Sequence, residues 1–442
     1  MGTAPETTDR TSRRSVPTVL HAGVAAVLPG ESLLRTGHLL AVSSLVNAGL
    51  GSVFWLFATH WYDEDIVGLS YSALSASLLL TGIGQLNLND FLVRFVPSAG
   101  RRTRKMVLTC YAVTTSFSAV VAVGFLALVP LVTPGLGFLR TPLAGAGFVA
   151  ATAGYAVFVL QDGALTAVRR PGWVVGENLI FACAKMLLLA LGAALALTSG
   201  ILVAWVGALV VSLVVTNTVL MGRAIPQHER SAPTKAPPPR LVGYAAADWC
   251  GSLFRLAAYT LVPLVVLDNL GAEESAFYSL AWNVAYVPYL IARNMGTSLL
   301  VESVRRPERL VDAGRRVLRH SGLLLAGITA VLVAAAPQIL CLFGAEYSSQ
   351  ATTLLRLLAL SALPNLLLSV AIDVARARRR LRWAVALQVA MCVLVLGLTH
   401  VLLPRMGVTG AGVAWLVTQC LIAVPLLLFR RRWLVPVTAR SS

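Results

Sequence analysis

Apolar and polar residues alternate along this chain in long blocks: uninterrupted apolar runs, several of eighteen residues or more, separated by short polar connectors. A run of about 20 apolar residues matches a hydrocarbon layer ~30 Å thick, inside which every backbone amide must be satisfied by a helix or a closed barrel. The runs lack the two-residue alternation of barrel strands. The pattern therefore predicts an all-α, polytopic membrane protein of about twelve transmembrane helices. They are placed at 36–58, 68–89, 106–129, 144–167, 174–196 and 200–222, then at 241–267, 275–299, 318–340, 349–373, 382–403 and 408–429. A soluble core cannot use so many such runs.

Composition supports that reading: 57% of the 442 residues are hydrophobic and 12% are charged. The net charge of +17 would suggest nucleic acid in a soluble protein, but its distribution gives it a different meaning here. Thirty of the 36 basic residues fall in the two tails and in alternate connectors: Arg10 to Arg35, Arg94 to Lys105, Arg169 and Arg170, Arg223 to Arg240, Arg305 to Arg319, Arg376 to Arg382, and Arg430 to Arg440. The opposite connectors hold only Arg140 and Arg405, and carry the acids Asp63, Glu64, Asp65, Asp268, Glu273, Glu274 and Glu346. The excess of arginine places the first set of loops, with both termini, in the cytoplasm of a bacterium's inner membrane. No pattern of a cleaved signal peptide is seen. The six cysteines are scattered without metal-type spacing and read as small buried hydrophobes.

One stretch, RAIPQHERSAPTKAPPPR from Arg223 to Arg240, reads as a linker. It divides the chain into a cytoplasmic tail (1–35), a six-helix bundle (36–222), the linker (223–240), a second six-helix bundle (241–430) and a tail (431–442). The bundles carry a local repeat. VLQDGALTAVRRPGW around Asp162 matches VAIDVARARRRLRW around Asp373, each with an acid, an arginine pair and a tryptophan. Two six-helix repeats that both start inside are related by an axis along the membrane normal, an arrangement that puts a substrate path between them.

Four stretches carry a resemblance to a known family. They are FATHWYDEDIVGLSYSALSASLLLTGIGQLNLNDFLVRFVP across the first two spans, LDNLGAEESAFYSLAWNV at the start of the second half, LFGAEYSSQATTLLRLLALSALPN entering the tenth span, and LLPRMGVTGAGVAWLV entering the twelfth. They resemble the polysaccharide-flippase branch of the multidrug/oligosaccharidyl-lipid/polysaccharide (MOP) superfamily, to which the multidrug and toxic compound extrusion (MATE) transporters also belong. The resemblance implies a MATE-like fold of two pseudo-symmetric bundles and alternating access. It also implies a lipid-linked saccharide as substrate, with membrane lipids and a glycan polymerase or glycosyltransferase as partners, and no nucleic acid.

Ionisable groups at bilayer depth cost roughly 2.5–3.5 kcal/mol on insertion scales and usually face a cavity or a partner. Four basic residues fall within spans: Arg255 near the middle of the seventh, Lys185 in the fifth, Arg293 in the eighth and Arg356 in the tenth. They are candidate substrate-binding cations, since an anionic head group crossing the membrane exchanges water for fixed positive charge and arginine forks onto phosphate. Arg293 and Arg356 lie near enough to span ends to reach the interface instead. Candidate gate or coupling-ion residues are Asp162 and Asp373, at matching positions with Arg169 and Arg376 to compensate them, together with Asp248, Asp90 and Arg94. The last two are spaced as an i,i+4 pair. For Asp162 and Asp373 a satisfied surface pair is the favoured reading at this depth. Trp55, Trp61, Tyr62, Trp249, Trp282 and Tyr286 read as interfacial belt residues.

The reading is a secondary transporter that flips a polyprenyl-pyrophosphate-linked oligosaccharide, with no cofactor beyond a coupling proton or sodium ion. A MATE-type cation-coupled exporter of drugs or small metabolites is the alternative, and a scaffold in an envelope glycan assembly complex is a third. Gly82 and Gly84 sit inside an apolar helix and form no nucleotide fingerprint, and no Walker, HExxH or GxSxG motif occurs, so no enzyme is expected. The short outer loops argue against a membrane-embedded glycosyltransferase or polymerase.

Overall fold

A computed structural model describes residues 49–170, 172–231, 242–305, 310–378 and 380–429. The helices are α1 (49–61), α2 (Glu64–Gly84), α3 (Leu88–Phe95), α4 (Thr103–Val132), α5 (Pro142–Ala167), α6 (Gly172–Ala194), α7 (Gly200–Val219), α8 (Ile225–Ser231), α9 (Val242–Leu270), α10 (Ala272–Arg305), α11 (Leu310–Ala334), α12 (Ala336–Cys341), α13 (Ala345–Ala377), α14 (Leu381–Met406) and α15 (Thr409–Leu428). Helices overlap the described part of every expected span, with the second divided between α2 and α3 and the ninth between α11 and α12. Among the described residues nine helices are long and apolar enough to cross a membrane, and none forms a strand. The protein is a multi-pass, all-helical membrane protein. The tails at 1–35 and 431–442, the first part of the first span and the linker beyond 231 lie outside the described residues.

Leucines such as Leu131 (82% exposed) and Leu143 (88%) point outward from the bundle. That surface is stable against lipid tails, which are as apolar as leucine, so packing inside relies on close approach and not on apolarity. Helix α2 illustrates this. Its sequence GLSYSALSASLLLTGIG supplies Gly68, Ser72, Ala73, Ser75, Ala76 and Ser77 to buried positions, and it packs on α4, α5, α9 and α10. Ser77 Oγ bonds Thr152 Oγ1 of α5 at 3.0 Å, and Ser72 Oγ bonds Ser275 Oγ of α10 at 2.9 Å. Because α2 touches α4 and α5 on one side and α9 and α10 on the other, it is the seam between the two halves.

One end of the bundle carries the arginine-rich connectors and the other the acids. At the acidic end the halves meet backbone to backbone: a Cβ on Gly68 would lie 1.9 Å from the Ala272 carbonyl oxygen. Beside it, the backbone N–H of Gly135, in the Pro134–Arg140 turn, donates to Asp268 Oδ1 at 3.2 Å. Nearer the arginine-rich end Trp249 Nε1 donates across the seam to the Gly82 carbonyl at 3.2 Å.

Three expectations are corrected. The start of the linker is ordered: a π turn (Leu220–Ala224) runs into α8, where Gln227, His228 and Glu229 bond Arg170 Nη2, the Val96 carbonyl and the Arg104 amide. Polar side chains that each find a partner on the N-half hold these residues as helix. The second expected span breaks after Gly84, because Leu86 and Asn87 take left-handed backbone (φ 48° and 57°), and α3 follows as a separate helix. Of the six cysteines, Cys110 and Cys392 are buried but Cys183, Cys250, Cys341 and Cys420 are exposed on helix surfaces.

Gly68→Ala is expected to push α2 off α10 and to destabilise the purified protein by roughly 1–3 kcal/mol, as overpacking does. Gly124→Ala, with open space around it, is expected to leave thermal unfolding unchanged.

Candidate functional site

Helix periodicity builds the site in the second half. On α9, Arg255 and Tyr259 are one turn apart on one face, and on α10 the spacing of Trp282, Tyr286, Tyr289 and Arg293 makes a single stripe. Arg255 is partly buried and its Nη1 donates to Gln388 Oε1 of α14 at 3.2 Å. The Gln388 amide donates in turn to the Ala384 carbonyl at 3.1 Å, which aims its oxygen at the guanidinium. Arg293 and Arg376 lie within electrostatic reach of Arg255, and Asp373 of α13 lies within reach of all three. Asp373 is 8% exposed and pairs with Arg376, one turn along α13, at 3.6 Å. Among the described residues, three guanidinium groups thus gather around one carboxylate. Arginines grouped in a low-dielectric setting suit a multiply charged anion.

Beyond the arginines, toward the acidic end, lies an aromatic cluster. Tyr259 touches Trp282, Tyr286 and Trp415 with ring centroids 5.4, 5.7 and 5.7 Å apart, and Trp282 stacks on Trp415 at 4.6 Å. Trp415 Nε1 donates to Tyr278 Oη at 2.9 Å, and Tyr289 Oη bonds Ser361 Oγ at 2.6 Å, so the buried polar atoms of these rings are satisfied. Tyr259 and Tyr286 keep partly exposed faces, and Tyr71 of α2 stands close to Tyr286 across the seam. Trp282 (4% exposed) and Trp249, expected in an interfacial belt, are instead a core stack and a clasp between halves. Trp61 is exposed as a belt residue would be.

Lys185 stands in the other half. It is buried on α6 with Nζ 4.3 Å from the Phe54 ring and 5.3 Å from Phe181, so its charge rests on aromatic faces. Arg356 is not part of the arginine cluster: it is exposed, and its Nε donates to the Val333 carbonyl at 3.1 Å, in the last turn of α11. There it satisfies a carbonyl at the negative end of a helix dipole. The side chains of Asp248, Asp90 and Arg94 lie outside what is described, although the last two share one face of α3 by spacing.

Asp162 and Asp373 do not occupy equivalent places. The backbone turns that follow them are equivalent: Arg170 N donates to Leu165 O and Trp173 N to Arg170 O, as Arg380 N does to Ala375 O and Trp383 N to Arg380 O. Aligned on those turns, Asp162 lies three residues before Leu165 and Asp373 two before Ala375. The offset of one residue rotates the side chain by about 100°. Asp373 consequently joins the arginines, while Asp162 points into the N-half. Arg169 is exposed with left-handed backbone (φ 60°) and forms no ion pair with it.

Sequence reasoning missed Asp162's neighbour. Glu177 of α6 is 0% exposed, and neither of its carboxyl oxygens, nor Asp162 Oδ1, has a hydrogen-bond partner. Both acids lie within electrostatic reach of each other, and Tyr111 of α4 lies within reach of Glu177. An acid in the first turn of the fifth span was the available signal. The aromatic stripe was legible in the spacing of Trp282, Tyr286, Tyr289 and Arg293.

No protein-family model matches the sequence, and no curated protein matches it. In structure the chain is similar to MATE transporters of the MOP superfamily. An inward-facing multidrug resistance MATE family transporter superposes with TM-score 0.69 at 14% identity, over 90% of this chain and 96% of that one. An outward-facing conformation of a transporter of that family gives 0.64 at 13% identity, over 91% and 95%. A MOP superfamily transporter from Pyrococcus furiosus, described as having a binding pocket of reverse polarity, gives 0.64 at 13%, over 91% and 95%. The fold is that of MATE-type transporters.

Asp373 pairs with Arg376 and is the acid of the arginine cluster among the described residues, so Asp373→Asn is expected to destabilise the protein by about 3 kcal/mol, the order found when one partner of a buried pair is removed. Arg376→Gln in the same chain is expected to restore part of that loss, as read by a double-mutant cycle of thermal unfolding.

Proposed function

We propose that this chain is a secondary transporter of a bacterial cytoplasmic membrane, with its arginine-rich end and both termini in the cytoplasm. It flips a polyprenyl-pyrophosphate-linked oligosaccharide to the outer leaflet by alternating access between its halves. The observation that carries this reading is the gathering of Arg255, Arg293 and Arg376 near Asp373, beside the partly exposed rings of Tyr259 and Tyr286. Pyrophosphate carries the multiple negative charge that grouped guanidinium groups attract. The rings offer flat apolar faces for a saccharide, and the polyprenyl chain stays in lipid. Lys185 gives the N-half a cation of its own. The Pyrococcus transporter's reversed pocket polarity supports the idea that members of this fold class handle cargo of different charge.

Asp162 and Glu177 are assigned to the coupling ion, H⁺ or Na⁺, because carboxylates so enclosed need a proton or a cation to offset their burial. The same pair favours a second reading, a cation-coupled exporter of drugs or small metabolites. That exporter would place positively charged cargo in the acidic N-half.

In proteoliposomes, flipping of a fluorescent polyprenyl-pyrophosphoryl saccharide is expected to fall about 10- to 100-fold with Arg255→Ala, the worth of a lost charge-assisted contact. Arg356→Ala is expected to retain activity. Full activity in Arg255→Ala would remove the assigned role, and export of a cationic dye without any saccharide flipping would establish the second reading. Glu177→Gln is expected to abolish the response of flipping to an imposed proton or sodium gradient while downhill flipping continues; an unchanged response would exclude Glu177 from coupling.

A further inference from the structure

A groove at the arginine-rich end of the C-half is separate from the cluster around Arg255. It has a volume of about 620 Å³ and lies between α13, α14 and α15. Its construction follows from the turn that ends α13. The bond from Arg380 N to the Ala375 carbonyl (2.8 Å) and the one from Trp383 N to the Arg380 carbonyl (3.1 Å) fold the chain back on itself. That places Arg378, Arg380 and Trp383 together at the mouth. Leu387 and Ile422 line the groove deeper in the bundle, and Phe429, exposed at the end of α15, forms part of its rim.

No acid occurs among its described lining residues. Partial burial and the adjacent Arg380 both work against the charge of Arg378 and lower its pKa, and an anion in the mouth would offset both effects. Below the mouth the walls are apolar, so the groove is cationic at one end and greasy along the rest, with a tryptophan at the boundary. That profile matches a phospholipid standing in its leaflet: phosphate at headgroup level, indole at the interface, acyl chain against the helices. A groove on α11 lined only by Leu323, Leu324, Gly327, Ile328, Val331 and Leu332 has the apolar part without the cations and selects no headgroup.

We propose that the groove between α13, α14 and α15 is a binding site for an anionic phospholipid, whose phosphate sits between Arg378 and Arg380 and whose acyl chain lies along Leu387 and Ile422. The site is independent of the cargo: it uses no residue of the Arg255 cluster and stands whichever substrate is moved. A lipid held there braces the arginine-rich ends of α13 and α14, the helices that carry Asp373, Arg376 and Gln388.

The test is thermal unfolding of the delipidated full chain in detergent with added phosphatidylglycerol, phosphatidylcholine or inorganic phosphate, with native mass spectrometry counting bound lipid. Phosphatidylglycerol is expected to raise the melting temperature by several degrees, and the other two by less than half of that. Arg378→Gln with Arg380→Gln is expected to lose at least half of the shift and one bound lipid. Arg378→Lys with Arg380→Lys is expected to keep most of both, which separates loss of charge from loss of fold. Arg315→Gln with Arg319→Gln, at the second basic groove between α11, α13 and α15, is expected to keep the shift. Four outcomes would each overturn the proposal: an equal effect of phosphatidylcholine, an equal effect of inorganic phosphate, a full shift in the glutamine variant at 378 and 380, or its loss in the lysine variant. The absence of any lipid shift, as when the chain's own residues 430–442 fill the groove, would overturn it as well.

Discussion

Hydrocarbon offers no hydrogen bonds, and that one constraint organises this chain. It drives the backbone into helices, sorts thirty basic residues to one end and the tails, and leaves few ionisable groups in between. Those few must each be accounted for locally. Arg356 is held by a carbonyl at a helix end, and Lys185 by two aromatic faces. Arg255 is different: its hydrogen-bond acceptor, Gln388, is uncharged, and two more arginines lie within its electrostatic reach. Cations gathered at bilayer depth are costly to bury and become more favourable when an anion joins them. For that reason their position points to a ligand more strongly than their number does.

The same constraint explains the seam. Since lipid is no less apolar than leucine, the halves are held together by contact distance and by small polar groups along α2: Gly68 on the Ala272 carbonyl, Ser72 on Ser275, the Gly82 carbonyl on Trp249. Hydrogen bonds between membrane helices average about 0.6 kcal/mol, so a line of them gives register without locking the halves. A seam of this kind can part at one end while its other end stays closed, as alternating access requires.

Spans were legible because apolar length is a one-dimensional property, and so was the turn shared by Arg170–Trp173 and Arg380–Trp383. What the sequence concealed was rotation. Asp162 and Asp373 look equivalent when the two stretches are laid side by side, yet one residue of offset sends them to different surroundings in opposite halves. Glu177 escaped notice because burial on every side cannot be read from a helix taken singly, and only the packing of α6 against its neighbours isolates it. Trp282 escaped for a related reason: an aromatic residue in a span suits a lipid interface or a core equally until its neighbours Tyr259 and Trp415 are known. Helix α8 was hidden by proline and charge, which suggest a linker, while Gln227, His228 and Glu229 found partners only in three dimensions.

The division of charge between the halves bears on energetics. With a pyrophosphate cargo, outward movement carries negative charge away from a negative interior, and a membrane potential favours this by about 2.3 kcal/mol per charge per 100 mV. On the proposed function the potential would do work on the cargo directly, through the C-half. A proton or sodium ion entering at Asp162 and Glu177, as proposed, would move in the opposite direction and be favoured by the same potential. Two sites of opposite sign, in separate halves, let one field drive both limbs of an exchange cycle. A single site holding both charges would cancel most of that driving force, since the net charge moved would approach zero. The one-residue offset between Asp162 and Asp373 is thus more than a failed symmetry: it leaves one acid to temper the arginines and sets the other beside Glu177 in the N-half.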